Sequence, residues 1–165
     1  ERILSNEEYH NLLIASERSN LSFLKDIIKF AYSTAMRFGE ITKLEIKDID
    51  YENKLAKLKD TKNGEDRIVP LTDEAIAICL RYRFRNKLFD INRDKFRHYF
   101  EQACRRANIN NFRFHDLRAC AITNLFLKGW SVAEVSVVSG HKTWAELKRY
   151  TRIKPIQLVE KINKI

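Results

Sequence analysis

Three short runs of the chain hold side chains suited to chemistry on a phosphate ester. Thr34-Ala35-Met36-Arg37-Phe38-Gly39-Glu40 places an arginine three residues before a glutamate. Phe114-His115-Asp116-Leu117-Arg118 places a histidine three residues before an arginine. Gly140-His141 is followed nine residues on by Tyr150. A planar guanidinium grips phosphate oxygens through paired bonds. An imidazole exchanges protons near neutral pH. A phenol has a pKa of about 10, so it becomes a nucleophile only with help in losing its proton. Taken singly, each run has an ordinary structural explanation. Arg37 and Glu40 fit a helix-surface pair, although Met36 and Phe38 beside them argue against a plain solvated face. His115 fits the first turn of a helix, with Asp116 as an acid that complements the helix dipole. A lone tyrosine on an amphipathic helix is ordinarily core or rim.

These side chains act together only if the fold gathers them, and the elements that must do so are readable. Ser5-Asn6-Glu7-Glu8 has the form of a capping box and predicts a helix to about Arg18 with Leu12 and Leu13 on its apolar side. Leu24, Ile27, Ile28, Ala31 and Ala35 recur at helical spacing and predict a second helix from about Leu21 to Met36. Gly39 is expected to break the chain before a short helix through Leu44. Residues 46–70 change texture: strands are expected near Ile46–Tyr51, Leu55–Lys59 and Asp66–Val69, with a hairpin cue at Asn63-Gly64 and an end at Pro70. Further helices are expected from Thr72 to about Arg85, Arg93 to Ala107 and His115 to Lys128. Ser131…Glu134 and Thr143…Glu146 have capping-box form and start two more, and a last helix lies near Pro155–Lys164. The fold class is therefore α+β, mainly helical, with one small antiparallel sheet near residues 46–70.

The 165 residues suffice for one domain with a real core, and 44% hydrophobic with 32% charged residues is a globular balance. No apolar run approaches the ~18–20 residues of a membrane span. Thirty-one Lys and Arg against 22 Asp and Glu give a formal net charge of +9, which favours a polyanionic partner. Cys79, Cys104 and Cys120 form no C-x-x-C pair and sit in apolar stretches, reading as reduced core residues of an intracellular, cytoplasmic protein. No acidic pair recurs with histidine at ligand spacing, so no metal or other cofactor is expected.

Together the runs resemble the tyrosine recombinases, the family of the phage integrases and the chromosome-dimer resolving recombinases. Thr34–Glu40 resembles the family's first-arginine motif, His115–Arg118 its His-x-x-Arg box and Gly140-His141 its Gly-His. Arg118 lies twenty-three residues before His141 and Tyr150 nine after, separations typical of the family. Thr61-Lys62-Asn63-Gly64…Arg67-Ile68-Val69-Pro70-Leu71 resembles the hairpin that carries the family's lysine. The resemblance implies a catalytic set of Arg37, Lys62, His115, Arg118, His141 and Tyr150, with Glu40 orienting active-site side chains. Arg37 and Arg118 would hold the scissile phosphate and His141 would add a third hydrogen bond. Tyr150 would attack phosphorus to leave a 3′-phosphotyrosyl link, His115 would accept its proton, and Lys62 would protonate the leaving 5′-oxygen. Lys59, in the same hairpin, is the rival for the lysine role. The link conserves bond energy, so strand exchange needs neither ATP nor metal.

The expected partner is double-stranded DNA. The resemblance implies a homotetramer on DNA for the full-length protein, and a monomer is expected for this chain. It begins about where the family's catalytic domain should, so residues 1–165 are expected to form that single domain without the N-terminal clamping domain. Ala119-Cys120 after Arg118 and Val138-Ser139 before Gly140 depart from the family pattern. Trp130 and Trp144 read as packing residues. Arg81, Arg83, Arg85, Arg93, Arg105, Arg106 and Arg113 form a basic mid-section that the sequence does not sort into DNA contacts and solvated faces. Two rival functions are a type IB topoisomerase-like activity and a DNA-binding regulator that kept the fold and lost the chemistry.

Overall fold

The computed structural model describes residues 2–59, 64–151 and 154–164. Helix α1, Asn6–Glu17, begins at the expected capping box: Glu8 N donates to Ser5 Oγ (3.1 Å) and Ser5 N to Glu8 Oε2 (2.9 Å). Helix α2, Leu24–Thr34, buries Leu24, Ile27, Ile28, Phe30 and Ala31, each side chain worth about 1.5–3 kcal/mol when fully removed from water, alanine less. It stops at Ala35, whose φ of 59° is left-handed. The break before the next helix therefore falls at Ala35–Arg37 and not at Gly39, which lies inside α3, Phe38–Lys43. A left-handed alanine costs roughly 1–2 kcal/mol, and nothing in the local sequence announces it.

A single 3₁₀ turn, Ile46–Asp48, replaces most of the first expected strand, leaving β1 as Ile49–Asp50. Strands β2, Leu55–Leu58, and β3, Arg67–Pro70, complete an antiparallel sheet in the order β1-β2-β3. Ala56 pairs with Val69 and Leu58 with Arg67. Alternation turns Ala56, Leu58 and Val69 inward and leaves Lys57 and Ile68 outside, the pattern of a sheet with one covered face. Asn63 lies outside the described residues; Gly64 has the positive φ, 76°, that the hairpin cue requires.

Helix α4, Asp73–Arg81, ends earlier than expected: residues 82–86 leave the helix, and Tyr82 meets Phe89 edge to face. Helix α5 is Arg93–Arg106, capped by Asn92. Helix α6, Asp116–Leu127, is the centre of the domain: Asp116 through Ile122 are all buried, so its first two turns are covered on every side. It packs on α2 and on α7, Val132–Ser139, and α7 also lies along β3. Helix α8, Trp144–Leu147, is one turn that continues as a 3₁₀ turn, Lys148–Tyr150. The tail folds as a 3₁₀ turn, Pro155–Leu158, and α9, Val159–Asn163. The three cysteines are buried thiols. No helix among the described residues is long and apolar enough to cross a membrane.

Candidate active site

Arg118 is the hub. It projects from the buried first turns of α6 and is itself only 3% exposed. A buried guanidinium is costly unless its donors are satisfied, and here two segments far away in sequence satisfy them. Nη1 donates to Ala35 O (2.5 Å) and Nη2 to Ser139 O (2.7 Å). The left-handed turn at Ala35 thus has a purpose: it aims a carbonyl left over at the end of α2 into the site. Arg118 has five donor hydrogens and these bonds use two, so donors remain for a ligand. Burial first, then the neighbouring Arg37 charge, lower its pKa to about 10, which leaves it fully charged at neutral pH.

His141 follows Gly140, the left-handed cap of α7. Its Nδ1 lies 2.7 Å from Ser139 Oγ. Arg118 Nη2 lies 3.4 Å from both ring nitrogens, against the imidazole and not on one lone pair. Burial, then the charges of Arg118 and Arg37, push the His141 pKa down to about 4. The ring is therefore neutral at pH 7. In the tautomer whose Nδ1 accepts from the Ser139 hydroxyl, Nε2 carries the proton and can donate it.

Arg37 stands in extended conformation just before α3. Its backbone N–H donates to Glu40 Oε1 (2.9 Å), and its Nη1 lies 3.7 Å from Glu40 Oε2. Phe38 and Phe114, next to Arg37 and His115, meet edge to face with centroids 5.7 Å apart and share Phe96 as a neighbour. This aromatic cluster fixes the Arg37 segment against the start of α6. His115 is exposed there and, with Arg37, lines a cleft of about 1190 Å³ whose rim carries Lys43, Arg93, Arg97 and Arg113. Tyr150 ends the 3₁₀ turn after α8, is 9% exposed, and sets its ring 6.3 Å from that of His141.

The structure therefore brings Arg37, Glu40, Arg118, His141 and Tyr150 together, with His115 at the cleft one turn before Arg118. Lys62 lies outside the described residues. Its rival Lys59 is committed elsewhere, 3.0 Å from Asp48 Oδ1. Two further participants carry no local sequence signal. Ser139, a departure from the family pattern, holds Arg118 through its carbonyl and lies against His141 through its hydroxyl. Arg67, within the hairpin motif, grips Glu40 with both Nη atoms. The mid-section arginines divide. Arg93 and Arg113 face the cleft, whereas Arg81 pairs with Asp26 and Arg85 stacks over Tyr82 and Phe23. Trp144 is half exposed and not the packing residue its sequence position suggested.

Arg37, Arg67 and Arg118 near the one Glu40 carboxylate leave an excess of positive charge in the neighbourhood of Tyr150. A sequence profile described as the phage integrase family matches residues 2–155, and the chain belongs to that family. It is 36% identical to the shufflon-specific DNA recombinase of Escherichia coli over 98% of this chain and 42% of that protein. It is 32% identical to the tyrosine recombinase XerA of Saccharolobus solfataricus over 78% of this chain and 45% of that one. It thus spans less than half the length of these curated relatives. Among solved structures, the catalytic domain of bacteriophage HP1 integrase superposes with a TM-score of 0.78 at 23% identity, over 99% of this chain and 95% of that one. The Tn1549 transposon integrase in complex with circular intermediate DNA gives 0.77 at 16% identity, over 98% and 64%. These likenesses establish the tyrosine-recombinase catalytic fold.

Proposed function

We propose that this chain is the catalytic domain of a site-specific DNA recombinase that cuts and rejoins double-stranded DNA through a 3′-phosphotyrosyl intermediate. The observation that carries the reading is Arg118, held by Ala35 O and Ser139 O so that the first-arginine segment, the His-x-x-Arg helix and the Gly-His turn converge beside Tyr150. Arg37 and Arg118 bind the non-bridging oxygens of the scissile phosphate, and His141 donates from Nε2. Arg118 and His141 are held in place before substrate arrives, which is where charge stabilisation is most effective. Tyr150 attacks phosphorus, the bond to the 5′-oxygen breaks, His115 takes the phenolic proton and Lys62 supplies one to the leaving oxygen. Glu40 holds the Arg37 segment. The positive charge comes from the protein's own guanidiniums, so the reaction is expected to run without metal or ATP.

The partner is duplex DNA, and the basic rim of the cleft suits its backbone. A homotetramer on DNA is proposed for the full-length protein and a monomer for this chain. The tail supports the first part: Ile156, Val159 and Ile162 are exposed, an apolar face left uncovered among the described residues.

A duplex nicked near its recombination site, so that the cut end diffuses away, tests the reading. The expected result is an SDS-stable protein–DNA adduct whose yield EDTA leaves unchanged. Binding of the duplex without any adduct would mean a regulator that has lost the chemistry. Loss of the adduct in EDTA with recovery in Mg²⁺ would overturn the mechanism.

A further inference from the structure

Glu40 is nearly buried and lies between two arginines, but they hold it very differently. Arg67 makes a fork: Nη1 to Oε2 at 2.8 Å and Nη2 to Oε1 at 3.1 Å, with side-chain exposures of 10% and 9% for the pair. Paired bonds between planar ions are the strongest geometry available to such a pair. Arg37 reaches the same carboxylate with Nη1 only at 3.7 Å, beyond hydrogen-bond range, and that nitrogen is buried without a hydrogen-bond partner among the described residues. Burial alone would raise the Glu40 pKa, but the bonds from Arg67 and from Arg37 N outweigh it and hold the carboxyl below its usual range. The carboxylate is therefore charged, and whichever arginine engages it fully is withdrawn from other anions.

We propose that Arg67 is a positioning residue: it occupies both oxygens of Glu40, so that the Arg37 guanidinium stays uncommitted and available to the scissile phosphate. The proposal rests on the recombinase reading above. Arg67 reaches the site from β3, and its guanidinium also lies directly against Gly140, the residue before His141. A Cβ on Gly140 would fall 2.6 Å from Arg67 Nη1, a distance that real side chains do not tolerate. One arginine thus braces the Arg37 segment and the His141 turn from the sheet side, while Arg118 braces them from the helix side. The buried charge count follows: removal of Arg67 leaves Glu40 with Arg37 as its nearest cation, and a buried carboxylate without a full partner is strongly driven to take one.

This predicts an unusual pattern of rates. Arg67→Met should slow single-turnover cleavage of the nicked duplex at least tenfold, with duplex affinity within about twofold of wild type. Adding Glu40→Gln should restore part of the rate, because the neutral amide no longer captures Arg37; the double variant is expected to cleave at least threefold faster than Arg67→Met alone. A brace with only a structural role would give the opposite order, since the second change removes a further contact. A wild-type rate in Arg67→Met, or a double variant no faster than the single one, would overturn the proposal. Should Arg67→Met lose its cooperative thermal transition, Arg67→Lys with and without Glu40→Gln replaces it, with the same order of rates expected and the same outcomes overturning the idea. Failure of the recombinase reading is distinguishable, because the wild-type protein itself would then form no adduct.

Discussion

The pocket around Arg118 and the tail after Tyr150 are opposites built from adjacent stretches of chain. In the pocket, polar and charged groups are withdrawn from water and tied: Arg118 to two carbonyls, Glu40 to Arg67, His141 to Ser139. In the tail, apolar groups are exposed: Ile156 is 76% and Ile162 67% accessible. Burying charge and exposing hydrocarbon are both unfavourable for an isolated domain, so each points to something outside it. The pocket carries more positive than negative charge and leaves Arg37 Nη1 without a hydrogen-bond partner among the described residues, which calls for an anion. The tail is incomplete in packing, which calls for another surface. The proposed chemistry and the proposed assembly thus fall on different segments, with Tyr150 at their junction.

Mutation of the pocket should give the largest effects. Arg37→Ala and Arg118→Ala should each slow single-turnover cleavage by about 10²–10³ or more, the range for a preorganised donor on developing charge. Arg118→Ala should also lower the melting temperature, because it strands the carbonyls of Ala35 and Ser139 in the interior. A surface arginine would change the rate by less than a few-fold, since exposed pairs are worth ~0–1 kcal/mol. Rates within threefold of wild type would show that the pocket is not where the charge is stabilised.

His141 sharpens the comparison through pH. Its folded-state pKa of about 4 lies below the ordinary 6.5. The unfolded chain therefore binds the extra proton first as pH falls. The contribution of the neutral ring to stability is complete above pH 6.5 and is lost as pH falls through about 4. NMR titration of the DNA-free protein should find His141 neutral at pH 5.5. A midpoint near 6.5 would show that the ring is not buried against Arg118 within reach of the Arg37 charge. Bound phosphate should move the midpoint upward, because its charge offsets theirs.

Smaller effects separate the two groups of mid-section arginines. DNA affinity should fall with salt at a log–log slope of about −0.9Z, with Z roughly four to six for one domain. Arg93→Gln or Arg113→Gln should each flatten the slope by about 0.9, whereas Arg81→Gln, at an arginine already held by Asp26, should leave it unchanged. Equal effects at all three positions would mean that the cleft is not the DNA face. Least visible of all on this chain is deletion of residues 154–165, which should leave its thermal transition within about 2 °C and its duplex affinity unchanged. The same deletion in the full-length protein should impair assembly on DNA and recombination. Loss of the cooperative transition in the truncated chain would place the tail in its own domain's core.

Much of this was legible in the sequence, and the parts that were not share a cause. Local signals succeeded: Ser5-x-x-Glu8 and Ser131-x-x-Glu134 mark helix starts where the structure has them, because a capping box is closed by residues three apart. The motif positions Arg37, Arg118, His141 and Tyr150, far apart in sequence, lie near one another in the fold. What escaped depends on contacts between distant segments. The break at Ala35 makes sense only once Arg118, 83 residues on, takes its carbonyl. Gly39 drew attention as a breaker although α3 runs through it, its start set by Glu40 accepting from Arg37 N. Arg67 and Glu40 are 27 residues apart, so nothing in the run Arg67-Ile68-Val69-Pro70 identifies the partner. Ser139 looked like an irregularity and is a ligand of both Arg118 and His141.

The most direct measurement concerns Tyr150 itself. On the nicked duplex, wild-type protein should form an adduct that, after protease digestion, leaves DNA linked to the peptide containing Tyr150. Tyr150→Phe should form none while binding the duplex within about twofold of wild type, since the hydroxyl supplies the nucleophile and little of the affinity. An SDS-stable adduct in the Tyr150→Phe protein, or a linked peptide that lacks residue 150, would contradict the assignment.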